Sequence, residues 1–488
     1  MIWDYVLLLS WVCTVYGKEG YFWHISDVHY DPNYSIQGSP DGKCWGTKGS
    51  SDVGRVRLND RMPPAGVYGH YGCDSPWSLV QSAAKAMEAK RADGIEFVLW
   101  TGDALSRRES ASTTRRLHHL KNITELLSRT FTGQFVFPVL GHEDIGLNLS
   151  QVAHLWRNWL PDEALTTLRE NGYYTIEQRS KRYQIIALNT NVWLSAESLL
   201  ESRAPSQRAT GSGASLGARV AAVTTGTDPE NQWQWFRSVL DKARKKGKTV
   251  YIVGHTPPGI DDREAGTGVL TEEHNRRYLQ IVRQYADMIR GQFFGHWHSD
   301  TFRIVYSDDG EPVSWIMVSP SITPYRQGGP NNPGLRLYKF DNNTGQILDY
   351  AQYYLNLAEA NSNKQANWRL EYNLREYYNL GEITALSLHD LADRFTQPRE
   401  NAFVRYYGAN RVSLAREVEE IWGCGGALNG LCALRHYCAV TRLEARSYAT
   451  CVASYAEALA SSKASATLGS RPVLLAVFLL SLVAMMPR

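Results

Sequence analysis

Residues 21–34 read YFWHISDVHYDPNY and residues 291–302 read GQFFGHWHSDTF. Each is an apolar run that breaks off at a turn and at once presents acids or imidazoles: Asp27 and His29 in the first, His296 and His298 in the second. The pattern recurs at Phe97–Trp100 before Gly102-Asp103, at Phe135–Leu140 before Gly141-His142-Glu143-Asp144, and at Val250–Val253 before Gly254-His255. Short apolar runs bounded by turn residues predict buried strands, so Tyr21–Ile25, Tyr183–Leu188 and Gln292–Phe294 join this set. Trp77–Arg91, Asn231–Lys245 and Thr271–Ala286 instead space apolar residues by three and four, which predicts helices. The alternation gives an α/β fold with sheets covered by helices and ligands held at strand ends.

Taken singly, a D-x-H or a G-D is commonplace, and a lone histidine is most often structural. Four such signals, Asp27-Val28-His29, Gly102-Asp103, Gly254-His255 and Gly295-His296-Trp297-His298, each just past a strand and each in a Gly- or Pro-marked turn, make one joint signal. The residue types suit phosphoester hydrolysis, where two divalent ions about 3.5–4 Å apart acidify water and clamp phosphoryl oxygens. A carboxylate can bridge both ions, and neutral imidazoles complete their shells without adding charge.

The rest of the chain bounds this reading. At 43% hydrophobic residues it can bury a sizeable core, and its 488 residues leave room for more than one domain. A formal charge of only +3, with basic residues scattered, argues against a nucleic-acid polymer as partner and leaves small phosphate substrates open. Val6–Val15 ends in small residues near Gly17, which predicts a secretory signal peptide over residues 1–17. Val473–Met486 is apolar and uncharged but shorter than the roughly 20 residues a spanning helix needs. With Ala460, Ser461 and Ser462 ahead of it, it predicts a GPI-attachment signal over 461–488, hence a lipid anchor in the plasma membrane, with the lysosomal lumen as the other location. Six cysteines outside the signal and no C-x-x-C pair predict disulfides: Cys44 with Cys73, and two bridges among Cys424, Cys432, Cys438 and Cys451, whose three connectivities stay open. In a secreted chain Asn33, Asn122, Asn148 and Asn342 are glycosylation sequons. Composition turns Leu/Tyr-rich after about Asp349, which predicts a catalytic domain over 18–348 and a small helical, disulfide-stapled domain over 349–460. Ser206–Thr227 reads as a surface loop without a catalytic role.

The ordered set D-x-H, G-D, G-N-H-[DE], G-H and G-H-x-H resembles the calcineurin-like metallophosphoesterases. The stretches CDSPW, FVLWTGD, LNTNVW, YIVGHTPPG, SPSITPY and NNPGLRLYKFD are similar to acid sphingomyelinase and the acid sphingomyelinase-like phosphodiesterases. The resemblance implies a β-sandwich flanked by helices and a monomeric, zinc-dependent phosphodiesterase that hydrolyses small nucleotide-like or phospholipid-headgroup phosphoesters. With little sequence before Asp27 for a saposin-like domain, it implies small-molecule cleavage ahead of choline-phospholipid cleavage. It implies two Zn2+ ions, one on Asp27, His29, Asp103 and His298, the other on Asp103, His255, His296 and the motif's Asn, with Asp103 bridging.

Two positions depart from the family pattern. Gly141-His142-Glu143-Asp144 lacks one residue of G-N-H-[DE]. With the gap at the Asn, His142 keeps the role of catalytic imidazole; with the gap elsewhere, His142 takes the ligand position itself. Arg107 stands four residues after Asp103, where related sequences place His; Arg neutralises phosphoryl charge but cannot act as a general acid. These departures open an alternative, a surface-anchored binding or regulatory protein with weakened or no turnover. His24 reads as structural, His118 and His119 as solvated on a charged helix, and Thr323 and Tyr325 as shaping a pocket.

Overall fold

In chain order the strands are β1 (Glu19–Ile25), β2 (Ile95–Trp100), β3 (Phe135–Pro138), β4 (Tyr174–Glu177), β5 (Tyr183–Ala187), β6 (Thr249–Val253), β7 (Ile289–Phe294), β8 (Thr301–Tyr306), β9 (Pro312–Val318), β10 (Gly334–Asp341), β11 (Ile347–Leu355) and β12 (Trp368–Asn373). They form two six-stranded sheets, ordered β12-β11-β10-β1-β2-β3 and β4-β5-β6-β7-β9-β8. The structure, a computed structural model, describes residues 18–39, 44–46, 65–90, 94–107, 112–177, 181–195, 231–263, 268–397, 400–414 and 430–454.

β1, β2 and β3 run parallel, as do β5, β6 and β7, so the carboxyl ends of each trio lie along one edge of its sheet. Strands buried on both faces read as continuous apolar runs, which is why these six were legible, β3 at the edge of its sheet included. The sheets face each other through aromatic rings: Phe22 of β1 meets Phe293 of β7 edge-on at 5.5 Å and Tyr251 of β6 at 5.9 Å. Apolar rings of this size supply much of the burial that holds two sheets together. Helices cover the outside. Gln232–Lys245 and Glu272–Gln284 set Trp233, Phe236, Leu240, Tyr278 and Val282 against the second sheet, and Trp193 stacks on Trp233 at 4.1 Å.

The chain after residue 348 departs from the expected all-helical run. β11 and β12 come first and complete the first sheet, pairing antiparallel beyond β10. Tyr-rich segments such as Ile347–Leu355 suit a half-buried pleated surface, and a neighbouring strand edge was there to take them. Only then does the chain turn helical, with Ala385–Asp393, Ala402–Asn410 and Gly430–Thr441. A disulfide joins Cys438 to Cys451, Cys432 is also disulfide-bonded, and Cys44 is joined to Cys73. Cys424, the leader over 1–17, Ser206–Thr227 and the tail over 461–488 lie outside the described residues. No helix among the described residues is long and apolar enough to cross a membrane. Of the sequons, Asn33 and Asn148 are exposed and Asn122 half-buried. Asn342 is buried, its amide donating to Glu96 and its carbonyl oxygen accepting from Lys181.

Candidate metal centre

The carboxyl ends of β1, β2, β6 and β7, with the turn after β3, bring seven side chains into two adjoining groups. Asp27, His29 and His298 form one; Asp103, His142, His255 and His296 form the other. Within the first, His298 Nε2 lies 3.3 Å from Asp27 Oδ1 and 3.1 Å from His29 Nε2. Within the second, His255 Nε2 lies 3.1 Å from His142 Nδ1 and 3.3 Å from His296 Nδ1. One atom joins the groups. Asp103 Oδ2 stands 3.4 Å from His29 Nε2, 2.9 Å from His142 Nδ1 and 3.3 Å from His255 Nε2.

These spacings fit metal ions. Ligand nitrogens at about 2.0–2.1 Å from a tetrahedral ion are about 3.3 Å from one another. Asp27 and Asp103 are completely buried, and among the described residues neither is paired with Lys or Arg. Burial alone would push both carboxyls up; the surrounding imidazoles, His298 at Asp27 and His142 at Asp103, hold them well below the usual carboxylate range. Asp103 Oδ2 has no hydrogen bond aligned on it. A buried, ionised oxygen of this kind calls for cations.

The local backbone explains why turns rather than strands carry these groups. Asp27, His29, Asp103, His296 and His298 all adopt left-handed φ, between 44° and 70°. Such a conformation costs an L-residue of order 1–2 kcal/mol, and the surrounding hydrogen bonds over-determine it. His296 N donates to Asp27 Oδ2 at 2.9 Å, and Glu143 N donates to Asp103 Oδ1 at 2.9 Å, so each carboxylate is steered from behind. The glycines of the motifs make room for this. A Cβ on Gly141 would stand 2.0 Å from Asp103 Oδ1, and one on Gly295 would stand 1.8 Å from Ser26 Oγ and 2.6 Å from Asp27 Oδ2.

Three of the imidazoles are oriented through their far nitrogen. Nδ1 of His29, His255 and His298 donates to the carbonyls of Leu105, Thr101 and Tyr325, at 3.1, 2.7 and 2.6 Å. A carbonyl only accepts, so Nδ1 carries the proton and Nε2 is left as the ligand atom. His142 presents Nδ1 to the centre, and its Nε2 lies 3.5 Å from Glu143 Oε1. Asp144 works from outside: its carboxylate accepts from the backbone N–H groups of Gly141, Ala104 and Leu105, tying the β2 and β3 turns together. Asn191, after β5, donates to the Gly141 carbonyl at 2.9 Å.

Six of the residues expected to bind metal are thus brought together: Asp27, His29, Asp103, His255, His296 and His298. The seventh, His142, lies inside the second group, with Nδ1 facing Asp103 and His255. His24 is buried behind the site against Thr101, with Nε2 3.0 Å from Oγ1. His118 is exposed and His119 half-buried against Tyr30. Thr323 N donates to the Asp27 carbonyl, and Tyr325 lies beneath the Arg107 guanidinium, 3.4 Å from ring centroid to Cζ. Sequence reasoning missed Asp74, which accepts from Arg107 Nε at 2.9 Å and from Nη2 at 2.5 Å. The signal was there, in the acid directly after Cys73.

Two parallel-centred sheets with two metal-capable groups at their shared edge and a single carboxylate between them define a metallophosphoesterase. The chain belongs to the calcineurin-like phosphoesterase family, whose model matches residues 20–300, and residues 311–458 match the acid sphingomyelin phosphodiesterase C-terminal region. It is a phosphodiester hydrolase by family, and the family works with divalent metals. It is 32% identical to acid sphingomyelinase-like phosphodiesterase 3b of Homo sapiens, over 91% of this chain and 94% of that one. It is also 32% identical to the cyclic GMP-AMP phosphodiesterase of Bos taurus, over 89% and 91% respectively. Sphingomyelinase phosphodiesterase C of Dictyostelium discoideum is 29% identical over 88% of this chain and 94% of its own length.

Proposed function

We propose that this protein is a zinc-dependent phosphodiesterase of the cell surface that cleaves small nucleotide-like or phospholipid-headgroup phosphoesters. The observation that carries the reading is Asp103 Oδ2, a buried carboxylate oxygen shared between both groups of imidazoles. In this reading Asp27, His29, His298 and Asp103 hold one ion, and Asp103, His142, His255 and His296 hold the other. His142 therefore supplies the ligand that the shortened motif lacks, which supports turnover over a non-catalytic alternative. N-rich, Cys-free donors suit zinc. When bound, the ion pair supplies an activated water and positive charge for the phosphoryl oxygens.

The chain's own residues do the rest. Asp103 and Asp27 set the spacing of the two sites through backbone donors that fix their rotamers. The carbonyls of Leu105, Thr101 and Tyr325 hold the imidazoles in the ligating tautomer, so nothing has to reorganise when substrate arrives. The relatives' names place cyclic dinucleotide and sphingomyelin cleavage among similar proteins, which supports a phosphodiester of modest size. The leader, the sequons, the disulfides and the C-terminal apolar run support passage through the secretory pathway, a GPI anchor and a monomeric ectodomain. The purified protein should contain two zinc ions per chain and should hydrolyse a chromogenic nucleotide diester faster than sphingomyelin in vesicles. Absence of metal-dependent turnover on either substrate, with two ions bound, would sink the enzyme reading; faster turnover of the vesicle lipid would overturn the substrate class.

A further inference from the structure

The far end of the second sheet carries a cleft in which the metal centre has no part. β8 leaves the centre at Thr301, three residues after His298, and ends at Tyr306, about 16 Å away at roughly 3.3 Å per residue. There it meets the helices Glu272–Gln284 and Ala385–Asp393 and the turn Arg442–Glu444 that follows the helix Gly430–Thr441. The cleft between them has a volume of about 320 Å³, at the small end of the roughly 300–1,000 Å³ that ligand pockets occupy. Leu279, Ile304 and Leu443 give it an apolar lining, and Tyr306 adds a ring.

Its polar groups differ in how far they are already engaged. Arg283 Nε donates to the Tyr306 carbonyl at 2.8 Å and lies 3.8 Å from the exposed Asp308, and Nη2 lies 3.5 Å from Glu444 Oε1. His389 Nδ1 meets Tyr306 Oη at 3.0 Å, and its Nε2 lies 3.7 Å from Asp393. Arg442 stands apart. Its Cζ sits 5.7 Å from the Tyr306 ring centroid and Nη1 donates to the Thr441 carbonyl at 2.9 Å, but among the described residues no carboxylate pairs with it. Of the charged side chains lining the cleft, Arg283 and Glu444 therefore neutralise each other, and the remaining one is a cation. A planar guanidinium beside a ring and aliphatic side chains suits an organic anion. A carboxylate or phosphate takes the guanidinium edge in paired hydrogen bonds, and the body covers the apolar lining.

The same turn braces the loop that follows His255. The Leu443 carbonyl accepts from Asn275 Nδ2 at 2.8 Å, and Asn275 Oδ1 accepts from Gly259 N at 2.9 Å. The Leu443 side chain also closes on Gly259, where an added Cβ would stand 3.2 Å from Leu443 Cγ. Asp262, in the same loop, lies 3.2 Å from His436 on the helix that precedes the turn. Helix and turn thus hold the loop at two points, and one of them is a lining residue of the cleft. An occupant that orders Arg442 and Leu443 restrains the loop through contacts already made.

We propose that this cleft is a second, non-catalytic binding site for a small organic anion, with a carboxylate or phosphate on Arg442 and an apolar body over Leu279, Ile304 and Leu443. Its occupant steadies the loop that follows His255.

The test uses the full chain with its metals and three probes that share a benzene ring: benzoate, phenylphosphonate and the uncharged benzyl alcohol. Titration calorimetry on wild type should give a Kd of about 1 mM or tighter for at least one anion, and binding at least about 10-fold weaker for the alcohol. The tighter anion then identifies the head group the site prefers. Arg442→Met should weaken anion binding about 10-fold, with Arg442→Lys keeping part of the affinity. Ser447→Trp, at an exposed position on the lining, should block it without changing metal content. With the bound anion present, hydrogen exchange at the amides of residues 259–262 should slow about threefold or more in wild type and not in Ser447→Trp. No saturable binding of either anion up to about 10 mM, or binding unchanged in folded Arg442→Met and Ser447→Trp, overturns the site. Unchanged exchange at 259–262 with the anion bound overturns its hold on the loop.

Discussion

Replacing His142 with alanine separates the two roles open to it. As a ligand, its Nδ1 sits 2.9 Å from Asp103 Oδ2 and 3.1 Å from His255 Nε2, at the vertex of a four-membered donor set. A four-ligand zinc site is worth roughly 10–16 kcal/mol, so one ligand carries on the order of 3 kcal/mol, about 100-fold in affinity. The neighbouring ion keeps Asp27, His29, His298 and the shared Asp103, so its affinity should change little. His142→Ala should therefore lose about one of two zinc ions on dialysis against a chelator of moderate strength, read by mass spectrometry of metal per chain. His142→Asn, whose amide oxygen can also ligate, should retain more of the second ion than alanine does. The reasoning fails if His142→Ala keeps both ions at wild-type affinity while kcat collapses and the basic or acidic limb of the pH profile disappears. In that event the ring is a proton donor and its place within the group is incidental.

Three further expectations follow from other parts of the structure. Gly295→Ala forces a Cβ to 1.8 Å from Ser26 Oγ and 2.6 Å from Asp27 Oδ2, so overpacking should cost about 1–3 kcal/mol and eject the first ion; two bound ions with an unchanged Tm would contradict this. Asp262, buried among Arg303, His436 and Asn410, ties the helix Gly430–Thr441 to the second sheet. Burial would raise its carboxyl, but the His436 imidazole 3.2 Å away and Arg303 outweigh burial and hold it far below the usual value of 3.8. Its contribution is thus fully present above that value and lost as pH falls toward the folded pKa. Asp262→Asn should cost about 3–5 kcal/mol at neutral pH by leaving Arg303 buried without its counter-charge, and the deficit should shrink in acid; a Tm within 1 °C of wild type at pH 7, measured by scanning calorimetry, would refute it. Phosphatidylinositol-specific phospholipase C should release the protein from expressing cells; retention, with Val473–Met486 recovered in the mature chain, would point to a membrane-embedded tail.

Sequence alone determined a good deal. The six parallel strands were legible because a strand buried on both faces has no polar positions to interrupt it, so Tyr21–Ile25 and Gln292–Phe294 could hardly be read otherwise. The metal-capable residues were legible because strand ends place them at fixed steps after each apolar run: Asp27 and His29 after β1, Asp103 after β2, His255 after β6, His296 and His298 after β7. The glycines beside them recorded in advance where a Cβ would meet a carboxylate. Four matters were settled only in three dimensions. β11 and β12 were masked by helix-like Leu/Tyr composition, because strand formation there depends on the open edge of β10, a partner distant in sequence. The bond between Asp74 and Arg107 joins residues 33 apart, and no local pattern encodes it. The pairing of Cys438 with Cys451 chose one of three connectivities that cysteine spacing permits equally. His142 is the clearest case: the sequence, one residue short of the motif, leaves its ring either a catalytic imidazole or a ligand, and the fold decides where it sits, through the short turn 142–144 and the hydrogen bond from Glu143 N to Asp103.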